Sequence, residues 1–298
     1  MSAMSAMSKM LSGLLFFFIC LSMLMLSGCG SPKVLPPVKQ SFAEYSGQFG
    51  GGSPEQDVTA IESIETIKQR MKAAYERQIP QQWGEYVTGV VTRLDTTKKI
   101  VALTFDACGG AGGSKYDREL LDYLKKNKIP ATLFISGRWI DANPAVFREL
   151  AEEPFFRIEN HGLSHRPLSV NGKKAYGIPG TSSIDAVVEE VESNARKIED
   201  ITGRKPRYFR SGTAYYDEIA VCIVEDLGYR AVNFNIIGDA GATYNVQQIK
   251  KSCSQAKSGT IIIFHMNHPE SQTAAGVIAA VEILAAQGYE FVRLEDYL

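Results

Sequence analysis

Histidine is scarce in this chain of 298 residues, and its distribution is uneven. The four histidines are confined to two short segments, with His161 near His165 and His265 near His268. A protein that used histidine as surface filler would scatter it along the chain. The clustering therefore indicates a functional site.

An excess of charge of either sign is also absent. Thirty-two basic and 33 acidic residues leave a net charge of −1, and no basic stripe stands out. Nucleic acid is therefore not an expected partner. The glycines between 109 and 113 do not have the dinucleotide-binding spacing, and no P-loop lysine follows them. The sequence thus contains no nucleotide-binding fingerprint.

Long hydrophobic runs are lacking except at the N-terminus. Residues 11–26 are apolar, follow Lys9, and have the length of a signal-peptide core rather than of a stable membrane span. The run ends in Leu26-Ser27-Gly28-Cys29, which resembles a bacterial lipobox. We expect residues 1–28 to be a lipoprotein signal peptide and Cys29 to carry lipid. A plain signal peptide or a single membrane anchor are the alternatives, and each implies export.

The remaining chain divides by composition into three parts. Residues 29–54 are rich in proline and glycine and predict a flexible tether. Residues 55–97 predict a helical extension, because apolar side chains recur at helical spacing from about Gln56 to Glu76. Residues 98–298 predict the main domain. We expect the mature protein to be an exported lipoprotein, anchored to a membrane on its periplasmic or cell-surface face.

Strand-like and helix-like segments alternate from residue 99 onward. This alternation predicts an α/β fold with a parallel sheet, and seven strands favour a closed or nearly closed barrel. The predicted strands are 100–105, 131–135, 155–158, 208–209, 231–237, 260–264 and 291–294. The predicted helices are 117–126, one opening at 143–144, 183–201, 217–227, 245–256 and 273–287.

Chemically useful side chains follow five of these strands. They are Asp106, His161, Arg210, Asp239 and His265. The carboxyl ends of the strands of a βα barrel meet at one rim, so these side chains are expected to converge there. The four-residue spacing of His161 and His165 also suits two ligands of one metal ion, for which a third protein ligand is usual.

The same residues carry a resemblance to a known family. The motifs resemble, in order, those of the polysaccharide deacetylases (NodB homology, carbohydrate esterase family 4) over about residues 98–298. They are Leu103-Thr104-Phe105-Asp106, His161-Gly162-Leu163-Ser164-His165, Phe209-Arg210 and Ile263-Phe264-His265. The resemblance implies a distorted seven-stranded (β/α) barrel with the N-terminal helical extension outside it.

The resemblance also implies a role for each residue. Asp106 matches the general base, Arg210 the arginine that keeps this base ionised, and His265 the general acid. Asp239 matches the aspartate that orients His265, and the backbone N–H near Thr213 would stabilise the oxyanion. His161 and His165 match ligands of a divalent metal, with zinc expected and cobalt or nickel as alternatives.

Departures from the family pattern leave the ligand set open. The family's second aspartate, a metal ligand, is replaced by Ala107. Waters alone could complete the site, or Cys108 could bind as a thiolate, although a small buried filler is the favoured interpretation of Cys108. Asp117 is a weaker candidate donor. Ser211-Gly212-Thr213-Ala214 replaces the usual loop after the arginine, which predicts altered substrate contacts.

Further residues have less definite expectations. Candidates for sugar contact are Tyr215, Tyr216, Tyr244 and Trp139. His268 could line the site, bond locally or be exposed. Cys222 and Cys253 could form a disulfide, although sequence cannot establish the pairing.

The leading hypothesis is a metal-assisted hydrolase that removes N-acetyl groups from an envelope or extracellular polysaccharide, either peptidoglycan or another N-acetylglucosamine polymer. The alternative is a non-catalytic carbohydrate-binding envelope lipoprotein on a degenerate deacetylase barrel, suggested by Ala107. A third hypothesis is hydrolysis of a different C–N bond, such as a cyclic amide.

Overall fold

The computed structural model describes residues 62–298. The predicted signal peptide, the lipidation site at Cys29, the tether 29–54 and the start of the first predicted helix lie outside these residues. Among residues 62–298, no helix combines the length and the apolar character needed to cross a membrane.

A curled parallel sheet organises the chain. Its strands are β1 (Ile100–Ala107), β2 (Ala131–Ile135), β3 (Phe156–Asn160), β6 (Tyr208–Phe209), β7 (Arg230–Ala231), β8 (Ile236–Ile237), β9 (Thr260–His265) and β10 (Glu290–Val292). The order is β7-β6-β3-β2-β1-β9-β8, and β10 pairs with β1. A small antiparallel hairpin, β4 (Lys174–Ala175) with β5 (Ile178–Pro179), stands apart from this sheet.

The predicted strand 231–237 is wrong as a continuous element. Its two ends pair with opposite edges of the sheet, β7 with β6 and β8 with β9. Residues 232–235 therefore cross from one edge to the other and close the sheet into a barrel. Counted once, this broken strand makes seven, which confirms the predicted distorted (β/α) barrel.

Helices surround the sheet, and most begin where the sequence predicts. They are α1 (Ile64–Tyr75), α2 (Arg118–Lys126), α3 (Gly137–Ala142), α4 (Pro144–Glu152), α5 (Ile184–Thr202), α6 (Glu218–Asp226), α7 (Val246–Cys253) and α8 (Thr273–Ala286). A 3-10 turn, Leu294–Asp296, follows β10. Ser183 caps α5 by accepting from the Ala186 N–H, and Gly203 ends it in the left-handed conformation. Helix α3 and the β4–β5 hairpin were not predicted.

Alternation along β1 determines which side chains face the barrel interior. Ile100 and Ala102 belong to the inner core, whereas Val101, Leu103, Phe105 and Ala107 pack outward against the helices. Because strand side chains alternate, Thr104 and Asp106 continue the inward row. The suggested Cys222–Cys253 pairing is wrong, since Cys253 is a free, buried thiol on α7.

Candidate active site

Asp106 and Arg210 form a buried ion pair at the carboxyl end of the barrel. Arg210 Nη1 donates to Asp106 Oδ1 at 2.7 Å and to Thr104 Oγ1 at 3.0 Å. Its Nε and Nη2 donate to the carbonyls of Val232 and Asn233. All three guanidinium nitrogens are therefore engaged, and the charge is held in one position.

This pair keeps Asp106 ionised. Burial by itself would raise the pKa of Asp106, but the charges of Arg210, His161 and His265 and the Arg210 hydrogen bond outweigh it, so the pKa is lowered. An ionised, fixed carboxylate can accept a proton.

His265 faces Asp106 from the neighbouring strand, because the two residues are register partners on β9 and β1. Its Nδ1 lies 2.8 Å from Asp239 Oδ1, while Asp239 Oδ2 accepts from the His265 N–H and from Thr273 Oγ1. Burial would lower the pKa of His265, but Asp239 and Asp106 outweigh this effect and raise it. The imidazolium form, a proton donor, is thereby favoured.

His161 and His165 lie beside this acid–base pair. Their ring centroids are 4.9 Å apart. His161 Nδ1 lies 2.9 Å from the Arg210 carbonyl oxygen, so Nδ1 carries the proton and Nε2 presents its lone pair. That Nε2 is buried without a hydrogen-bond partner and lies 3.5 Å from Asp106 Oδ2. Burial lowers the pKa of both histidines, which favours the neutral, metal-binding form.

Cys108 completes a cluster of three donor groups with these histidines. The cysteine sulfur and one ring nitrogen from each histidine lie within 4.8 Å of one another. Burial raises the pKa of the thiol well above its usual value. Two imidazoles and a thiol, one imidazole nitrogen being buried and unpartnered, fit a divalent transition-metal ion.

Glu190 on α5 holds the loop that carries both histidines. The Glu190 carboxylate accepts from the backbone N–H groups of Ser164 and Arg166. Gly162 has φ +79°, and a Cβ there would lie 2.4 Å from Glu190 Oε1. On the other side, a Cβ on Gly212 would lie 2.3 Å from the His165 backbone. Glycine at these positions lets the loop pack tightly.

A cavity of about 410 Å³ opens over these groups. Its lining includes Asp106, Cys108, His165, Thr213 and His265. The N-terminal extension adds Glu85, and the β4–β5 hairpin adds Tyr176, whose hydroxyl lies 3.1 Å from Glu85 Oε1. The reactive groups and a polar–aromatic wall thus face one space.

The structure separates the candidates for sugar contact. Tyr215 is not part of the cavity lining, and its ring packs against Trp83 and Tyr176. Trp139 and Tyr216 are fully buried, so their suggested role in stacking on sugar is wrong. Tyr244 packs against the buried side chains between the sheet and the surrounding helices.

Two other suggested residues have local partners. His268 lies 3.2 Å from Glu270 and does not line the cavity. Asp117 caps α2 and is not part of the donor cluster.

Sequence reasoning missed Glu85, Tyr176 and Glu190. Glu190 lies in the pattern of an ordinary amphipathic helix, and the neighbouring Glu189 is identical in type but pairs with Lys68 at the surface. Glu85 lies outside the predicted main domain. A tyrosine followed by Gly177, with Pro179 and Gly180 just beyond, was the signal for a turn at Tyr176.

A βα barrel with a fixed carboxylate, a histidine whose pKa is raised and a cluster of metal donors at one end belongs to the class of hydrolytic barrels. The family profile described as polysaccharide deacetylase matches residues 93–232. Over these residues the chain is similar to the polysaccharide deacetylases, in agreement with the resemblance of its motifs to the NodB-homology hydrolases of carbohydrate esterase family 4.

Two named relatives are similar over most of their length. The peptidoglycan-N-acetylmuramic acid deacetylase of Bacillus subtilis is 25% identical over 248 residues, which cover 78% of this chain and 86% of that protein. The peptidoglycan-N-acetylglucosamine deacetylase of Bacillus cereus is 26% identical over 219 residues, covering 71% and 94%.

Solved structures share the fold. That of Bacillus subtilis PdaA, a family 4 carbohydrate esterase, has a TM-score of 0.59 at 23% identity and covers 77% of this chain and 87% of its own. A family 4 pseudoenzyme from Bacillus anthracis has a TM-score of 0.59 at 22% identity, covering 72% and 69%. At these identities the likeness concerns the fold alone.

Proposed function

We propose that this protein is a metal-assisted N-deacetylase of an acetylated envelope polysaccharide, with peptidoglycan as the leading substrate and other N-acetylglucosamine polymers as the alternative. One observation carries the proposal. Asp106 and His265 are register partners on adjacent strands, and separate ion pairs shift their pKa values in opposite directions. A base and an acid on two sides of one cavity match amide hydrolysis.

Each group has a defined task in this reaction. Asp106 accepts a proton from the water whose oxygen attacks the acetamide carbonyl carbon, and Arg210 keeps that carboxylate oriented. His265, supported by Asp239, gives a proton to the amine nitrogen as the C–N bond breaks. Acetate and a free amino sugar are the products. The Thr213 region of the cavity wall would supply a backbone N–H to the oxyanion.

His161 and His165 would hold a divalent ion beside Asp106, zinc in the first instance and cobalt or nickel as alternatives. When bound, such an ion acts as a Lewis acid that polarises the carbonyl and makes water easier to deprotonate. The substrate proposal draws on the named relatives, which are peptidoglycan deacetylases. It also draws on the expected export and lipid anchoring at Cys29, which would place the cavity next to the cell envelope.

Acetate release tests the proposal. The protein is incubated with peptidoglycan or chitin oligomers, with and without Zn²⁺ or Co²⁺. We expect metal-dependent release of acetate, and a loss of at least about 10²-fold in Asp106→Asn. Asp141→Asn is a matched control, because Asp141 is exposed and pairs with Lys197 on the outside of the barrel. Absence of acetate with every metal, together with retained sugar binding, would support the non-catalytic alternative. A solved structure of similar fold is itself described as a pseudoenzyme.

A further inference from the structure

We infer that Cys108 is the third protein ligand of the metal site, so that a thiolate takes the place of the missing carboxylate. The inference rests on the proposed metal-dependent function and specifies its ligand set. It predicts a site of two imidazoles and one thiolate, with a fourth position left for water or substrate.

The position of Cys108 is the first observation that supports a role as ligand. It directly follows Ala107, the last residue of β1, and lines the same cavity as Asp106 and His165. Ser136 Oγ donates to its carbonyl at 2.7 Å, which fixes the backbone. Gly109, with φ +71°, packs against the Arg138–Trp139 backbone, where a Cβ would lie 2.6 Å from the Trp139 nitrogen. The sulfur is thereby held next to both histidines.

His161 provides an independent observation. Its Nδ1 is committed to the Arg210 carbonyl, and its Nε2 is buried with no hydrogen-bond partner among the described residues, 3.5 Å from Asp106 Oδ2. A buried nitrogen without a hydrogen-bond partner destabilises the fold unless a ligand satisfies it. An ion between this nitrogen, His165 and Cys108 would satisfy it.

Nearby carboxylates cannot readily supply the third ligand. Ala107, at the position of the family's second aspartate, has no side-chain donor and packs outward against the helices. Asp106 Oδ1 is engaged by Arg210, and proton transfer requires this carboxylate. Asp117 caps α2. A thiolate would also carry the same single negative charge as the aspartate that the family uses.

The soft sulfur ligand has a consequence for metal choice. Thiolates favour zinc and cobalt over oxygen-preferring ions such as Mg²⁺. The site should therefore bind Zn²⁺ or Co²⁺ in the presence of a large excess of Mg²⁺.

Cobalt spectroscopy of the full-length protein tests the ligand set. We expect the Co²⁺-loaded protein to show a near-ultraviolet sulfur-to-cobalt charge-transfer band. Cys108→Ser should lose this band and bind Zn²⁺ at least tenfold more weakly. Cys253→Ser is the matched control, since Cys253 is also a free thiol and lies buried on α7 away from the cluster. Cys108→Asp should recover Zn²⁺ binding without the band.

The outcomes separate this inference from the proposed function. A Co²⁺-loaded wild-type protein without the band, whose binding depends on His161, would overturn the thiolate assignment, and this measurement does not require any cysteine variant to fold. A band that persists in Cys108→Ser would also overturn it. Acetate release without the band would retain the proposed function alone, whereas the band without acetate release would retain the ligand set alone.

Discussion

Two buried carboxylates at this site differ in their partners, and the difference determines which proton each controls. Asp106 pairs with Arg210, a permanent cation, and stays ionised. Asp239 pairs with His265, a titratable cation, and raises the pKa of its partner. Opposite shifts of this kind are how one site holds a base and an acid at the same pH.

Removing the charge of Asp239 should shift the pH dependence of the reaction. In Asp239→Asn, burial would dominate and lower the pKa of His265, so the protonated acid would be lost at a lower pH. We expect the alkaline limb of the kcat/KM profile to move to lower pH, and activity at pH 7 to fall about 10²-fold. The measurement is acetate release across pH, with Asp141→Asn as control. An alkaline limb that stays in place would exclude His265 as its origin.

At the scale of elements, the loop after β3 depends on a helix distant in sequence. Residues 161–166 carry both histidines, and Glu190 on α5 accepts three hydrogen bonds from their backbone. His165 itself has φ +58°, a conformation that a non-glycine residue adopts only when its surroundings hold it there. Helix α5 is therefore part of the support of the candidate metal site.

Glu190→Ala should weaken metal binding although Glu190 is not a ligand. Its loss would remove the acceptor of the part-buried Ser164 and Arg166 N–H groups and allow His165 to relax. Supporting residues of this kind typically change metal affinity by about 10–100-fold. Zn²⁺ titration calorimetry would measure the effect. Glu189→Ala is the matched control, because Glu189 is partly exposed and pairs with Lys68. Equal affinities for the two variants would contradict this role.

The β4–β5 hairpin places an exposed aromatic side chain at the edge of the cavity. Tyr176 is 73% exposed, lines the cavity, and has its ring edge-on to Tyr215. Exposed aromatic faces next to a polysaccharide site suit stacking on a sugar ring. In the proposed reaction the hairpin would contact the substrate beside the reacting acetamide.

Tyr176→Ala should weaken substrate binding and leave the chemical step unchanged. We expect KM for the polymer to rise about five- to tenfold at constant kcat, the pattern of a lost contact that is equally strong in ground and transition states. Tyr86→Ala serves as control, because Tyr86 is 67% exposed but does not line the cavity. A lower kcat at unchanged KM would show that Tyr176 acts on the chemistry instead.

At the scale of the whole molecule, the sequence predicted the features that depend on local pattern. The β-branched run of β1 is enough to predict that strand. Ser183 and Gly203 are enough to predict where α5 begins and ends. Asp106 and His265 could be placed because they follow such strands. The segment 231–237 was predicted as one strand, because its local sequence does not reveal that its two ends pair with different edges. The support from Glu190 depends on tertiary contacts that no local pattern contains.

The N-terminal extension is the largest such tertiary feature. Val91 bridges to the crossing segment, donating from its N–H to the Ala231 carbonyl and accepting from the Asn233 N–H. Leu94 donates to the Gly259 carbonyl and belongs to the inner core. Ile67 and Met71 pack with residues of α5 and α6. The extension thus takes part in barrel closure and in the core.

A chain that starts at residue 98 should therefore not fold as stably as the longer chain, although 98 was the predicted start of the main domain. Burying Ile67, Met71 and Leu94 contributes about 1.5–3 kcal/mol each, roughly 5–9 kcal/mol together, and the net stability of a domain is only about 5–15 kcal/mol. We expect residues 98–298 to lack a cooperative urea transition that residues 62–298 retain, with circular dichroism as the readout. Equal transition midpoints would mean that the barrel closes without the extension, and that its part at the site is limited to Glu85.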